Sequence, residues 1–227
     1  MAIPTTRADL ARLIDHTILK PEATAADIDR LCDECLRYGI YAACVNPAWV
    51  ARCAERLASS GVAVASVAGF PLGATTSETK AYEALLAIEQ GASEIDMVIH
   101  VGALVAGDSL FVTRDIFTVV ETVKAADPTA FVKVILETRV LTNEQIVVGC
   151  RCARDGHADF VKTSTGFHPA GGACVEHVRL MKENAGGLRV KAAGGIRDLP
   201  TALALLTAGA DRLGMSASVA VLEAMSA

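Results

Sequence analysis

Lys162 ends a short apolar run, Asp159-Phe160-Val161-Lys162, that breaks into Thr163-Ser164-Thr165-Gly166. The apolar part reads as a strand and the hydroxyl- and glycine-rich part as the loop leaving it. An ammonium at the end of a buried strand is costly unless its charge is used or shed. The bland reading is a lysine that snorkels from a strand end to water. The chain has only seven lysines, and three of them, Lys133, Lys162 and Lys191, fall in successive strand-like segments, which weighs for chemistry. Two lysines facing each other at ~5.5 Å in an effective dielectric near 20 repel by roughly 3 kcal/mol. Each then makes the other's proton easier to lose, and burial adds to the effect. A neutral amine is what a Schiff-base nucleophile requires. Asp96, in Glu94-Ile95-Asp96-Met97-Val98, can shuttle protons for such an amine. Its bland alternative, a structural ion pair with one of the lysines, is compatible with that role. Glu137, beside the fifth strand, is expected to join the same convergence.

These side chains need a scaffold that points them at one another. Apolar runs at residues 13–19, 40–45, 62–67, 94–100, 131–136, 160–162, 188–192 and 212–215 read as strands. Helical spacing follows each of them, over 24–38, from Asn46-Pro47 onward, and over 77–90, 109–126, 142–155, 174–184, 199–208 and 216–225. A short first helix, capped by Thr5 or Thr6, carries Leu10 and Leu13 on one face. The strands are continuously apolar instead of alternating, which means burial on both faces and an all-parallel sheet. Eight strand–helix units in one chain of 227 residues make an α/β fold, a single-domain (β/α)8 TIM barrel over 1–227 with a short N-terminal helix. A doubly wound open sheet would call for Gly-x-Gly-x-x-Gly after the first strand, and none is there. In a barrel, Asp96, Lys133, Glu137, Lys162 and Lys191 would gather at the carboxyl ends of the strands. Gly194-Gly195, and Gly214-Met215-Ser216-Ala217-Ser218, follow the last two strands. There backbone N–H groups frequently hold a phosphate, with Ser216 and Ser218 as hydroxyl donors and Gly166 contributing from the sixth-strand loop.

Composition narrows the partners. Hydrophobic residues make up 52% and aromatics only 4%, which suits an aliphatic core and excludes a disordered chain. A net charge of −5 argues against nucleic acid or an anionic membrane as partner. No apolar run reaches the ~18 residues of a membrane span, and the N-terminus lacks the apolar stretch of a signal peptide. The odd count of seven cysteines fits free thiols in a reducing cytoplasm better than a disulfide framework. Cys32 and Cys35 form a CxxC, and Cys150 and Cys152 a CxC, without the second halves of a zinc site. The histidines (His16, His100, His157, His168 and His177) show no metal-ligand spacing. No metal and no cofactor is expected.

Seven stretches, in order along the chain, resemble the deoxyribose-phosphate aldolase family of bacterial type. They are Ile-Asp-His-Thr-Ile-Leu-Lys-Pro (14–21), Ala-Cys-Val-Asn-Pro (43–47), Val-Ala-Gly-Phe-Pro-Leu-Gly (67–73), Glu-Ile-Asp-Met-Val-Ile (94–99), Val-Lys-Val-Ile-Leu-Glu-Thr (132–138), Phe-Val-Lys-Thr-Ser-Thr-Gly-Phe (160–167) and Val-Lys-Ala-Ala-Gly-Gly-Ile (190–196). The resemblance implies a class I aldolase that reversibly cleaves 2-deoxy-D-ribose 5-phosphate to acetaldehyde and D-glyceraldehyde 3-phosphate without a metal. It implies Lys162 as the Schiff-base lysine, Lys191 as the second lysine that perturbs it and moves protons, Asp96 as proton donor and acceptor, and Asp15 as a supporting member of the relay. It places Cys44, otherwise a small core residue, near the substrate mouth, and gives Thr165, Gly166, Gly194, Gly195 and Ser216 to the substrate and its phosphate. A cytoplasmic homodimer or higher homo-oligomer acting on phosphosugar and aldehyde substrates is implied as well.

Three positions depart from the family pattern. His100 stands where many relatives have Asn, and Phe167-His168-Pro169 replaces glycine- or lysine-containing versions of that loop. Ala217 replaces one of a usual serine pair, at the cost of a hydroxyl contact. His168 is either a compensating donor or a solvent-facing loop residue. Competing readings are another phosphate-handling barrel, such as an isomerase, which needs no Lys162–Lys191 pair, and a catalytically silent phosphosugar-binding protein, in which a lysine or the aspartate would be lost. All three are present.

Overall fold

The computed structural model describes residues 3–225. Eight parallel strands close into a barrel in sequence order. A short helix α1 (Arg7–Ala11) precedes β1 (Ile14–Ile18), and α2 (Ala25–Tyr38) leads to β2 (Ala42–Val45). A 3-10 turn and α3 (Val50–Arg56) lead to β3 (Ala63–Ala68), then α4 (Ser77–Glu89), β4 (Glu94–Val98), α5 (Val101–Val105), α6 (Ser109–Ala126) and β5 (Phe131–Ile135). The remaining elements are α7 (Asn143–Asp155), β6 (Phe160–Lys162), α8 (Val175–Asn184), β7 (Arg189–Ala193), α9 (Leu199–Thr207), β8 (Arg212–Met215) and α10 (Ser218–Glu223). No helix among the described residues is long and apolar enough to cross a membrane.

Local chemistry sets the element ends. Thr24 and Asp27 form a reciprocal capping box at the start of α2, and Gly39 ends that helix in the left-handed region at φ 65°. Thr6 caps α1, which stops before Leu13. Two differences from expectation lie beside the barrel mouth. The run after β4 breaks at His100, whose Nδ1 accepts the Ala103 N–H at 3.1 Å and caps the unexpected helix α5. Strand and helix share one apolar stretch there, so periodicity alone merges them. The last helix begins at Ser218, leaving Ser216 in the loop.

Apolar side chains fill the space between barrel and helices, while the barrel's own interior carries charge. Asp15, Asp96, Lys133, Lys162, Lys191 and Arg212 are all buried. Parallel register makes Asp96 a neighbour of Lys133, Lys162 a neighbour of Lys191, and Lys191 a neighbour of Arg212. Closure of β1 on β8 brings Asp15 beside Gly214. A Cβ at Gly214 would stand 3.0 Å from Lys191 Cε, so the missing side chain is the room through which Lys191 reaches Asp15.

A second buried pair locks the outer layer. Lys80 of α4 is fully buried and donates to Asp115 of α6 at 2.6 Å, and the Ser77 hydroxyl donates to the same carboxylate at 2.8 Å. Helical spacing had no means of marking Lys80 as interior. Removing one partner of a buried pair strands the other charge, at a cost of about 3–5 kcal/mol. Asp115→Ala is therefore expected to lower the unfolding free energy in urea by about that much, and Lys80→Met with Asp115→Leu to recover most of it.

Candidate active site

One carboxylate organises the barrel mouth. Asp96 Oδ2 accepts from Lys162 Nζ and from Lys191 Nζ, each at 2.7 Å, while Oδ1 accepts from Lys133 Nζ at 2.6 Å. Lys191 also donates to Asp15 Oδ2, whose other oxygen accepts from Arg212 at 2.7 Å. Lys133 lies 2.7 Å from Glu94 Oε2, an ion pair by distance that lacks the angle of a hydrogen bond. The Arg212 guanidinium lies 3.5 Å over the Tyr41 ring, which fixes its plane from behind.

The two lysines titrate in opposite senses, and this corrects the expectation of mutual depression. Burial pushes Lys162 down, Asp96 opposes, and Lys191 adds to the depression. The expected repulsion is present, but it is smaller than the cost of burying the charge. Burial also works against the charged form of Lys191, yet Asp15 and Asp96 together hold its proton and its pKa is raised. Burial favours the neutral form of Asp96, and Lys133, Lys162 and Lys191 overcome it, so its pKa is well below the usual carboxylate range. Asp15 is lowered in the same way, by Lys191, Lys133 and Arg212 against burial.

Of the three lysines on Asp96, Lys162 is also the one that reaches open space. It lines a cavity of about 790 Å³ together with Thr165, Gly166, Phe167, Gly194, Gly195 and Ser216, whereas Lys133 and Lys191 are fully buried. Lys20, Arg30 and Arg197 line the same cavity as its cations. Arg197 carried no signal in the chain beyond its place after the glycine pair. On the outer side, His16 Nε2 lies 2.6 Å from Glu34, and both belong to the cavity wall.

The glycine loops are stacked on one another. The Thr163 and Ser164 hydroxyls donate to the Ala193 carbonyl at 3.1 and 2.5 Å, tying the loop after β6 to the end of β7. A Cβ on Gly172 would lie 2.1 Å from the Gly194 carbonyl oxygen, and one on Gly166 would lie 3.3 Å from Gly194 Cα. Glu137 does not join the lysine cluster. Its carboxylate accepts the Thr165 hydroxyl at 2.5 Å, and Thr165 Oγ1 accepts the Phe167 N–H at 3.0 Å, which braces the turn around Gly166. Phe167 meets Phe70 edge-on with ring centres 5.1 Å apart at the rim.

Three expectations are corrected or resolved here. The Ser218 hydroxyl turns inward and donates to the Met215 carbonyl at 3.1 Å, so it is no donor to the mouth. Cys44 is fully buried with Leu19, Ala65 and Val67, and burial pushes its thiol pKa up. It touches the field of the lysines and does not line the cavity. His168 is exposed and accepts from the Ala170 N–H at 3.1 Å, a loop role.

Comparison with known proteins agrees over nearly the whole chain. Residues 10–222 match the family described as DeoC/LacD family aldolase. The chain is 51% identical over 216 residues to deoxyribose-phosphate aldolase of Enterococcus faecalis, covering 95% of this chain and 96% of that protein. It is 53% identical over 218 residues to the enzyme of the same name from Thermococcus gammatolerans, with 95% and 96% covered. The solved deoxyribose phosphate aldolase of Aeropyrum pernix, described as a unique tetrameric structure, superposes with a TM-score of 0.91 at 35% identity, covering 98% of this chain and 93% of that one.

The paired glycines after β7 differ in surroundings, which gives a direct check. Both have positive φ, 90° at Gly194 and 78° at Gly195, but a Cβ at Gly194 would meet Ser164 Oγ at 2.8 Å while one at Gly195 meets open space. In denaturant unfolding, Gly195→Ala is expected to cost about 1 kcal/mol, the backbone strain alone. Gly194→Ala is expected to cost about 2–3 kcal/mol.

Proposed function

The chain belongs to the DeoC/LacD family of aldolases, and from that footing we propose that it cleaves 2-deoxy-D-ribose 5-phosphate reversibly to acetaldehyde and D-glyceraldehyde 3-phosphate through a Schiff base on Lys162. The observation that carries this reading is that, of the three lysines on Asp96, the one lowered by burial is also the one that reaches the cavity. Neutral Lys162 adds to the C1 aldehyde, and loss of water from the carbinolamine gives an iminium. The iminium draws electrons from the C2–C3 bond as the 3-hydroxyl loses its proton. That bond breaks, glyceraldehyde 3-phosphate leaves, and the two-carbon enamine stays on Lys162. Protonation at C2 and addition of water then release acetaldehyde and restore the amine.

The proton relay follows from the same contacts. Asp96, strongly acidic beside the Lys133 and Lys191 ammonium groups, passes protons without storing them. Lys191 is the store, because Asp15 and Asp96 hold its proton in place. Lys191 donates to the departing carbinolamine hydroxyl and, once neutral, takes up the proton of the 3-hydroxyl. Backbone N–H groups of Gly166, Gly194, Gly195 and Ser216 receive the phosphate, with Thr165 shaping their turn and Arg197 and Lys20 supplying positive charge at the rim. Cys44 contributes a small neutral wall beside the amines. The complete set of Lys162, Lys191 and Asp96 supports catalysis over a silent phosphosugar-binding role.

A homo-oligomer is part of this reading. It is supported by the Aeropyrum relative described as tetrameric and by the exposed Tyr82, Leu86, Leu110 and Phe117 on α4 and α6. A cytoplasmic, single-domain enzyme over 1–227 is supported by the free cysteines and by the family match over most of the chain.

Borohydride reduction in the presence of acetaldehyde or deoxyribose 5-phosphate is expected to attach the two-carbon or sugar fragment to Lys162, read by peptide mapping. A label on any other residue, or no label, sinks the mechanism. Lys191→Leu is expected to lower kcat at least about 100-fold through loss of the proton store. It is also expected to move the acid limb of kcat/KM to higher pH, because the cation that helps Lys162 shed its proton is gone.

A further inference from the structure

Three charged side chains of the barrel interior have no place in the steps above. Lys133 contacts Asp96 at 2.6 Å and Glu94 at 2.7 Å. Arg212 contacts Asp15 at 2.7 Å and stands 3.5 Å from Glu94. All three are at least nine-tenths buried, and none lines the cavity. They form a second tier: Glu94 lies between Lys133 and Arg212, and each of those cations grips the far oxygen of one relay carboxylate.

The groups enclosing Lys162 can be named strand by strand. They are Asp15 on β1, the Cys44 thiol on β2, Glu94 and Asp96 on β4, Lys133 on β5, Lys191 on β7 and Arg212 on β8, while β3 presents no charged side chain. Glu137, just past β5, is engaged by Thr165, His16 is paired with Glu34, and the other charged side chains across the cavity, Lys20, Glu22, Asp27, Arg30 and Arg197, stand wholly or partly in solvent, which screens them. With every group ionised and the thiol neutral, three carboxylates face four cations. The interior carries one unbalanced positive charge in a medium that penalises it. One proton too many is present, and the amine at the cavity is the one with a route out.

We propose that Lys133, Glu94 and Arg212 are positioning residues that hold Asp96 and Asp15 in place and set the enclosed charge so that Lys162, and not its neighbours, acts as the neutral amine. The inference rests on the aldolase reading of Lys162. It yields effects of opposite sign from residues that touch no substrate. Removing the Lys133 ammonium balances three carboxylates with three cations, so Lys162 keeps its proton to higher pH. Removing the Glu94 charge leaves four cations against two carboxylates, and Lys162 sheds its proton at lower pH. A purely structural role predicts weaker activity with no ordered movement along the pH axis.

The experiment is the pH dependence of borohydride trapping with acetaldehyde, read at the Lys162 peptide in wild type, Lys133→Met, Lys133→Arg and Glu94→Gln. Charges about 6 Å apart in an effective dielectric near 20 give displacements of about one to two pH units. Lys133→Met is expected to move the labelling midpoint up by that amount and Glu94→Gln to move it down. Lys133→Arg, which keeps the charge, is expected to restore it to within about 0.3 of a pH unit of wild type. Midpoints that stay put, or that move in the same direction in Lys133→Met and Glu94→Gln, overturn the inference while a label on Lys162 preserves the aldolase reading. A wild-type label elsewhere overturns both. If Lys133→Met does not fold, Glu94→Gln, an isosteric change, decides alone: a downward shift supports the inference and an unmoved or upward midpoint ends it.

Discussion

The contact on which the molecule depends is the Asp96 carboxylate shared by three lysine amines. No member of that set would hold its charge alone. A single buried ammonium would lose its proton, and a single buried carboxylate would take one up. Together Asp96, Lys133 and Lys191 stay ionised because each supplies the counter-charge that burial removes from water, and Lys162 is left as the amine that holds its proton least. The barrel is the device that makes the sharing possible: β4, β5, β6 and β7 are hydrogen-bonded neighbours, so their inward side chains converge without any loop having to close.

The scaffold around that contact is built to hold charge and still leave one amine accessible. Gly214 gives Lys191 its path across to Asp15, and β6 is only three residues long, so Lys162 stands at the lip where the strand gives way to the loop. The loop is then strapped down on both flanks, by Ser164 to β7 and by Thr165 to Glu137. Glu137 itself sits in the left-handed region at φ 59°, an uncommon conformation for a non-glycine residue, and this aims its carboxylate at the β6 loop and away from the lysines.

Much of this is legible in the amino-acid sequence. Lys162, Lys191 and Asp96 sit inside apolar runs whose alternation with helices demands a parallel barrel, and a barrel sends such residues to one mouth. Of the second tier, only Lys133 was legible. Glu94 and Arg212 open their strands, where charged residues ordinarily mark the entry from solvent, and nothing in a period of two says which way the first residue of a strand turns. The pairing of Asp15 with Arg212 spans 197 residues and exists only once β1 closes on β8. The raised pKa of Lys191 was hidden for the same reason: its direction depends on which carboxylates touch it, and proximity to Lys162 alone suggests the opposite. Lys80 was unreadable because its counter-charge lies on another helix, and Glu137 because its backbone conformation, not its position after the strand, decides where it points.

The slight exposure of Lys162 beside fully buried Lys133 and Lys191 has a consequence for traffic through the mouth. On the aldolase reading each turnover expels one water as the imine forms and consumes one as it hydrolyses. Both must pass on the cavity side of the nitrogen, the side the sugar phosphate also occupies. A bound phosphorylated fragment therefore shields the Lys162 nitrogen and the enamine it carries from water until that fragment departs. The order of events is imposed by a shared doorway: the three-carbon product leaves, water enters, and only then is the two-carbon product freed.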